Sequence, residues 1–141
     1  MKSMDVSAEV WFLASTMVEQ EEPGYRKLTV ELARRGYGIT YMPVTWFAQP
    51  EPPWIPTLYP DWLSETLRSL PRRTSGIKCI YAGFSIGAIV ALATAAAQPP
   101  DELWLMSPSV WVPAAWYLNG VEDVQMPAGD LLMSLAEINI H

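Results

Sequence analysis

The 141-residue sequence predicts an α/β fold: a mainly parallel sheet with helices on both faces, in three layers. Three observations carry that prediction. Short, continuously apolar runs recur along the chain, as expected of strands buried on both faces. Segments of helical period separate them, long enough to serve as right-handed crossovers between parallel strands. Half of the residues are hydrophobic and only 17% are charged, against about 25% in ordinary soluble domains, so the chain buries much of itself or turns apolar surface toward a partner. The length suits a single domain with a sizeable core, with that core over residues 10–109 and a tail over 110–141.

The first strand is Val10-Trp11-Phe12-Leu13-Ala14. A polar loop with Glu19, Glu21 and Glu22 runs from Ser15 to Gly24. Tyr25 to Arg35 then carries Leu28, Leu32 and Ala33 at helical spacing and ends in Arg34-Arg35-Gly36, cations in the last turn followed by a capping glycine. Residues 37–42 form a second strand that Pro43 stops. The stretch 43–60 holds Pro43, Pro50, Pro52, Pro53, Pro56 and Pro60 among Trp46, Phe47, Trp54 and Tyr59. Such proline density forbids regular ladders, so the stretch reads as a stiff loop that seals the domain edge, walls an apolar pocket or contributes to a lid.

Asp61 is placed as N-cap of a helix from Trp62 to Leu70, closed by Pro71, with Arg72-Arg73 at a helix end like Arg34-Arg35. Ile77 to Ala82 is a third buried strand, Ile86 to Ala97 an alanine-rich helix ended by Gln98-Pro99-Pro100, and Glu102 to Met106 a fourth strand broken by Ser107-Pro108-Ser109. In the tail, Val110 to Val121 carries Trp111, Trp116 and Tyr117 with a turn at Asn119-Gly120. Residues 126–129 read as a loop, Gly129-Asp130 as the start of a helix over 131–136, and the alternating residues 137–141 as the beginning of a further strand.

Composition excludes several functions. Nine Lys and Arg against fifteen Asp and Glu give a net charge of −6, so the basic footprint of a nucleic-acid-binding protein is missing. The single cysteine, Cys79, admits no internal disulfide and sits mid-strand as a small buried hydrophobe. One His and one Cys far apart make no zinc site, and neither a metal nor a cofactor is expected. No run reaches transmembrane length. Asp5 and Glu9 occupy the place of a positively charged leader segment before the apolar run 10–18, so a cytoplasmic protein is expected.

The chemistry-bearing motif is Gly83-Phe84-Ser85-Ile86-Gly87, between the third strand and the alanine-rich helix. Gly-x-Ser-x-Gly at a strand-to-helix turn is the pattern of a nucleophile elbow. The serine stands in a strained turn with its hydroxyl clear of the sheet, and the glycines remove side chains that would meet the neighbouring strand and helix. The next backbone N–H, here that of Ile86, faces the developing oxyanion, helped by the positive end of the helix.

With this motif in that setting, residues 10–109 resemble the middle of the α/β-hydrolase superfamily, from its third strand to its sixth. Ala33-Arg34-Arg35-Gly36-Tyr37 is similar to the phrase that often ends the first helix of that family. The resemblance implies a partial α/β-hydrolase fold in which strand 37–42 is followed across the sheet by strands 10–14, 77–82 and 102–106. It implies a serine hydrolase acting on an ester or related acyl substrate, with Ser85 as nucleophile and the Ile86 amide in the oxyanion hole. Where the family usually carries His-Gly after its third strand, this chain has Ala14-Ser15-Thr16-Met17, which leaves a Thr16 or Met17 amide as the second oxyanion donor. The family's acid and histidine follow later strands; here the order Ser, acid, His leaves Glu122, Asp123, Asp130 or Glu137 and, as base, the terminal His141. The expectation is therefore a chain truncated before the usual acid and base. Its partner is a small acyl substrate or apolar ligand. The alternatives are an impaired hydrolase fold that binds a small ligand or protein partner without turnover, and an ordinary α/β binding domain with a coincidental elbow. The strand 103–106 would be a sheet edge, a surface for homo-oligomerisation unless the tail covers it.

Overall fold

The computed structural model describes residues 6–13, 23–42, 58–109, 111–113 and 125–130. Its elements follow in the order β1 (Ala8–Leu13), α1 (Pro23–Arg34), β2 (Tyr37–Met42), α2 (Tyr59–Ser69), β3 (Lys78–Phe84), α3 (Ile86–Ala97), β4 (Glu102–Met106), β5 (Trp111–Pro113) and β6 (Gln125–Pro127). β1 pairs in parallel with β2 and β3, and β3 in parallel with β4, giving a four-stranded sheet in the order β2-β1-β3-β4. The α/β class expected from the alternation of elements is the class observed.

Helix placement follows from this order. The chain steps from β1 outward to β2, returns across β1 to β3, and continues to β4. Right-handed crossovers taken in opposite directions put their helices on opposite faces of the sheet, and the packing has that form. On one face, Val10, Phe12, Ile80 and Ala82 meet Tyr25, Leu28 and Leu32 of α1. On the other, Trp11, Leu13, Cys79 and Tyr81 meet Trp62 of α2 and Ile89, Val90 and Ala93 of α3. The two central strands are therefore buried along most of their length, whereas β2 and β4 are half-buried. Among the described residues β4 is paired on one side only. Gly36 closes α1 at φ +90°, its N–H donating to the Ala33 carbonyl, as expected of a capping glycine.

Several local expectations need correction. α1 starts at Pro23, inside the anticipated polar loop, because proline's fixed φ and missing N–H suit the first helical position. α2 starts at Tyr59 with Leu58 as N-cap and a proline in the first turn, so Asp61 lies inside the helix rather than capping it. α2 also ends at Ser69, which leaves Arg72 and Arg73 beyond the helix and not at its dipole. The loop expected over 126–129 is replaced by β6, paired antiparallel with β5 and followed by helical residues 128–130. That ribbon is held by burial: Val112 and Ala128 are both in the core on the α2–α3 face. Asp130, anticipated at the start of a helix over 131–136, lies within these helical residues. The turn at 119–120, the helix over 131–136 and most of the proline-rich loop lie outside the described residues. Cys79 is buried, and desolvation pushes its thiol above the ordinary value.

The lower end of the sheet is locked by Asp101. Its N–H donates to the Cys79 carbonyl at 2.8 Å, while its carboxylate accepts from the Cys79 N–H at 2.8 Å and from Arg73 at 2.6 Å. The Cys79 N–H first, and the Arg73 guanidinium with it, hold the Asp101 carboxyl below its ordinary 3.8. A carboxyl depressed in the folded state contributes stability above its unfolded value and loses it as pH falls through the folded one. Asp101→Ala is therefore expected to lower the melting temperature by a constant amount from pH 7 to about pH 5, with the gap closing below pH 3.8. Thermal melts across that range check this; a gap that persists unchanged to pH 2.5 would contradict it.

Candidate active site at the β3–α3 turn

β3 is apolar because it is buried between β1 and β4, and α3 is apolar nearly all round because it packs across the sheet centre. One residue, Ser85, joins them. It has φ 57° and ψ −120°, a backbone state closed to most L residues. Such a conformation costs about 1–3 kcal/mol and persists only where the surroundings impose it.

Here the surroundings do so from three sides. Gly83 lies so close to α3 that a Cβ there would be 2.1 Å from the Gly87 carbonyl oxygen and 2.7 Å from the Ala88 nitrogen. The Ser85 N–H donates to the Met106 carbonyl at 3.0 Å, one step beyond the Phe84–Met106 pair that ends the β3–β4 ladder. The Ser85 carbonyl accepts from Ala88 N–H at 3.1 Å and from Ser109 N–H at 3.2 Å.

Serine before a helix usually caps it, its oxygen accepting from an N–H of the first turn. Ser85 makes no such side-chain cap bond. Ser85 is half-buried, its hydroxyl is thus not spent on the helix, and the Ile86 N–H stands in the first turn at the positive end of α3. A negative charge developing beside Ser85 would meet both.

This turn lies at the topological switch point of an open parallel sheet. β1 and β3 are adjacent, and the connections leaving their C-terminal ends run in opposite directions, to β2 and to β4. Ligands of such sheets bind at that switch point. β1 ends at Leu13, opposite Gly83. Thr16 and Met17 lie outside the described residues, as do His141, Glu122, Asp123 and Glu137. Asp130 is described and exposed.

Flanking Ser85 on the α1 face is an aromatic group that sequence reading did not single out. Phe84, 41% exposed, meets Tyr25 edge-on at 6.0 Å, and Tyr25 and Tyr41 both contact Phe12. Its signal in the sequence is faint, since the four residues come from four separate elements.

An open depression of about 480 Å³ lies instead at the opposite end of β3, lined by Arg73, Ser75, Lys78 and Asp101 among others. Arg73 is paired with Asp101 and Lys78 with Glu102 at 3.0 Å, so both cations that line this hollow are paired. Among the described residues, no group of three or more His, Cys, Asp or Glu side chains is arranged to hold a metal ion, and no helix is long and apolar enough to cross a membrane. Comparison of the chain with protein-family models, with curated proteins and with solved structures finds no match.

Proposed function

We propose that this chain is an α/β-hydrolase-like protein in which Ser85 is the nucleophile of acyl transfer from an ester or related substrate. The observation that carries the reading is the strained, uncapped Ser85 at the switch point of the sheet. The strand order β2-β1-β3-β4, with α1 on one face and α2 and α3 on the other, agrees with the order that the family resemblance implies and adds support. In the reaction, Ser85 Oγ bonds to the acyl carbon and the carbonyl electron pair moves onto oxygen, opposite the Ile86 N–H. The alcohol then departs with the serine proton, and water releases the acid. The exposed Phe84 ring, braced by Tyr25, favours an apolar acyl or alcohol group.

A fluorophosphonate probe tests this directly, because phosphonylation requires an activated serine. The wild-type chain is expected to carry the label on the peptide containing Ser85, and Ser85→Ala to carry none. Because the hydroxyl makes no cap bond, Ser85→Ala should change stability by no more than about 0.5 kcal/mol. Ser85→Gly, which relieves the left-handed strain, should raise it by about 1 kcal/mol while abolishing the label. A folded wild-type chain that takes no label would overturn the nucleophile and leave a ligand-binding member of the same fold.

A further inference from the structure

We propose that the turn Ser107–Ser109, after β4, is the positioning element that holds Ser85 in its elbow conformation. This rests on the reading of Ser85 as a nucleophile. Two described residues other than glycine have positive φ: Ser85 at 57° and Ser107 at 44°. They are not independent. Met106, just before Ser107, accepts the Ser85 N–H at 3.0 Å, and Ser109, two residues after it, donates its N–H to the Ser85 carbonyl at 3.2 Å. In a regular parallel ladder the Met106 carbonyl and the N–H two residues on would both face Ser85, but that residue is Pro108, which has no N–H. The left-handed Ser107 turns the chain so that the Ser109 N–H takes that place.

The effect is to clamp both peptide groups of Ser85. Within its own segment, the Ser85 carbonyl accepts from the Ala88 N–H. The peptide that follows Ser85 carries the Ile86 N–H, so whatever orients the Ser85 carbonyl also orients the oxyanion donor on the other side of that rigid unit. Ser109 is fixed in turn, its Oγ donating to the Trp111 carbonyl at 2.5 Å. The strain at Ser107 thereby has a use: it supplies the Ser109 bond, which together with the ladder bond to Met106 keeps Ser85 strained.

Amide hydrogen exchange and fluorophosphonate labelling of the full chain separate the possibilities. Ser107→Val forces a β-branched residue into positive φ, and Ser109→Pro removes the donor. Each is expected to speed exchange at the Ser85 amide at least tenfold and to slow labelling at least tenfold, while core amides such as Ile80 stay protected. Ser107→Gly, at ease with positive φ, is expected to retain both wild-type values. The milder Ser107→Ala provides the same readouts if the valine variant does not fold. Unchanged Ser85 exchange in the valine or alanine variant and in Ser109→Pro would overturn the proposal, as would faster exchange with undiminished labelling. If the wild-type chain takes no label, the nucleophile reading fails, and exchange alone decides whether the turn holds Ser85.

Discussion

Gly83→Ala is expected to destabilise the protein by about 3 kcal/mol, near the upper end for overpacking, and to slow labelling of Ser85 about a hundredfold, the usual consequence of a shift of about 1 Å at a reacting group. The added methyl would lie 2.1 Å from the Gly87 oxygen, 2.4 Å from its carbonyl carbon and 2.7 Å from the Ala88 nitrogen. All three are backbone atoms of the first turn of α3, so no side-chain rotation relieves the clash. Either β3 or the helix N-terminus must move. β3 is held on both sides by the ladders to β1 and β4, so the movement falls on α3, which carries the Ile86 N–H. Gly24 provides the contrast. It lies inside α1 with nothing within 4 Å of its would-be Cβ, and Gly24→Ala should stabilise by about 0.4–1 kcal/mol through the unfolded chain. Urea titration of the two variants beside the wild type checks both signs. Equal effects at Gly83 and Gly24 would show that the β3–α3 approach is not tight.

Why some of this was readable in the sequence and some was not has a physical pattern. α3 and β4 were anticipated at their observed bounds because Pro99 and Pro100 separate two strongly apolar segments. The tight β3–α3 approach was readable because Gly83 stands where a Cβ would meet the Gly87 backbone. The start of α2 was misplaced because a proline in the first turn of a helix looks, in a proline-rich stretch, like more loop. The β5–β6 ribbon was missed because three-residue strands ending in proline carry no period, and burial of Val112 decides the matter instead. Ser107 has no signature at all: a serine at positive φ is selected by what its neighbours bond to, and Ser85 is more than twenty residues earlier. The Asp101–Arg73 lock is invisible for the same reason, since its partners are 28 residues apart. Local chemistry was thus legible, and long-range hydrogen bonding was not.

Replacement of Trp11 by alanine is expected to cost about 3–5 kcal/mol, a large share of the roughly 5–15 kcal/mol that a domain of this kind has to lose. Trp11 lies mid-strand in β1 and is fully buried. It pairs with Thr40 on one side and Tyr81 on the other, and its ring stacks on Tyr81 with centroids 5.7 Å apart and planes 20° from parallel. It belongs to the same core cluster as Met42, Trp62, Ile89 and Val90, which joins the sheet to both helices of that face. Tyr81 has little freedom to fill the void left by the indole, because its hydroxyl donates to the Gln98 carbonyl at 2.9 Å and ties the ring to the end of α3. Trp11→Phe keeps an aromatic face on Tyr81 and should lose distinctly less. Val30→Ala, at a side chain 61% exposed on α1, should stay within about 0.5 kcal/mol of the wild type. With a urea m-value of about 2 kcal/mol/M, the alanine variant's midpoint should fall by about 2 M. A fall comparable to that of Val30→Ala would mean that the α2–α3 face is not the core beneath the β3–α3 turn.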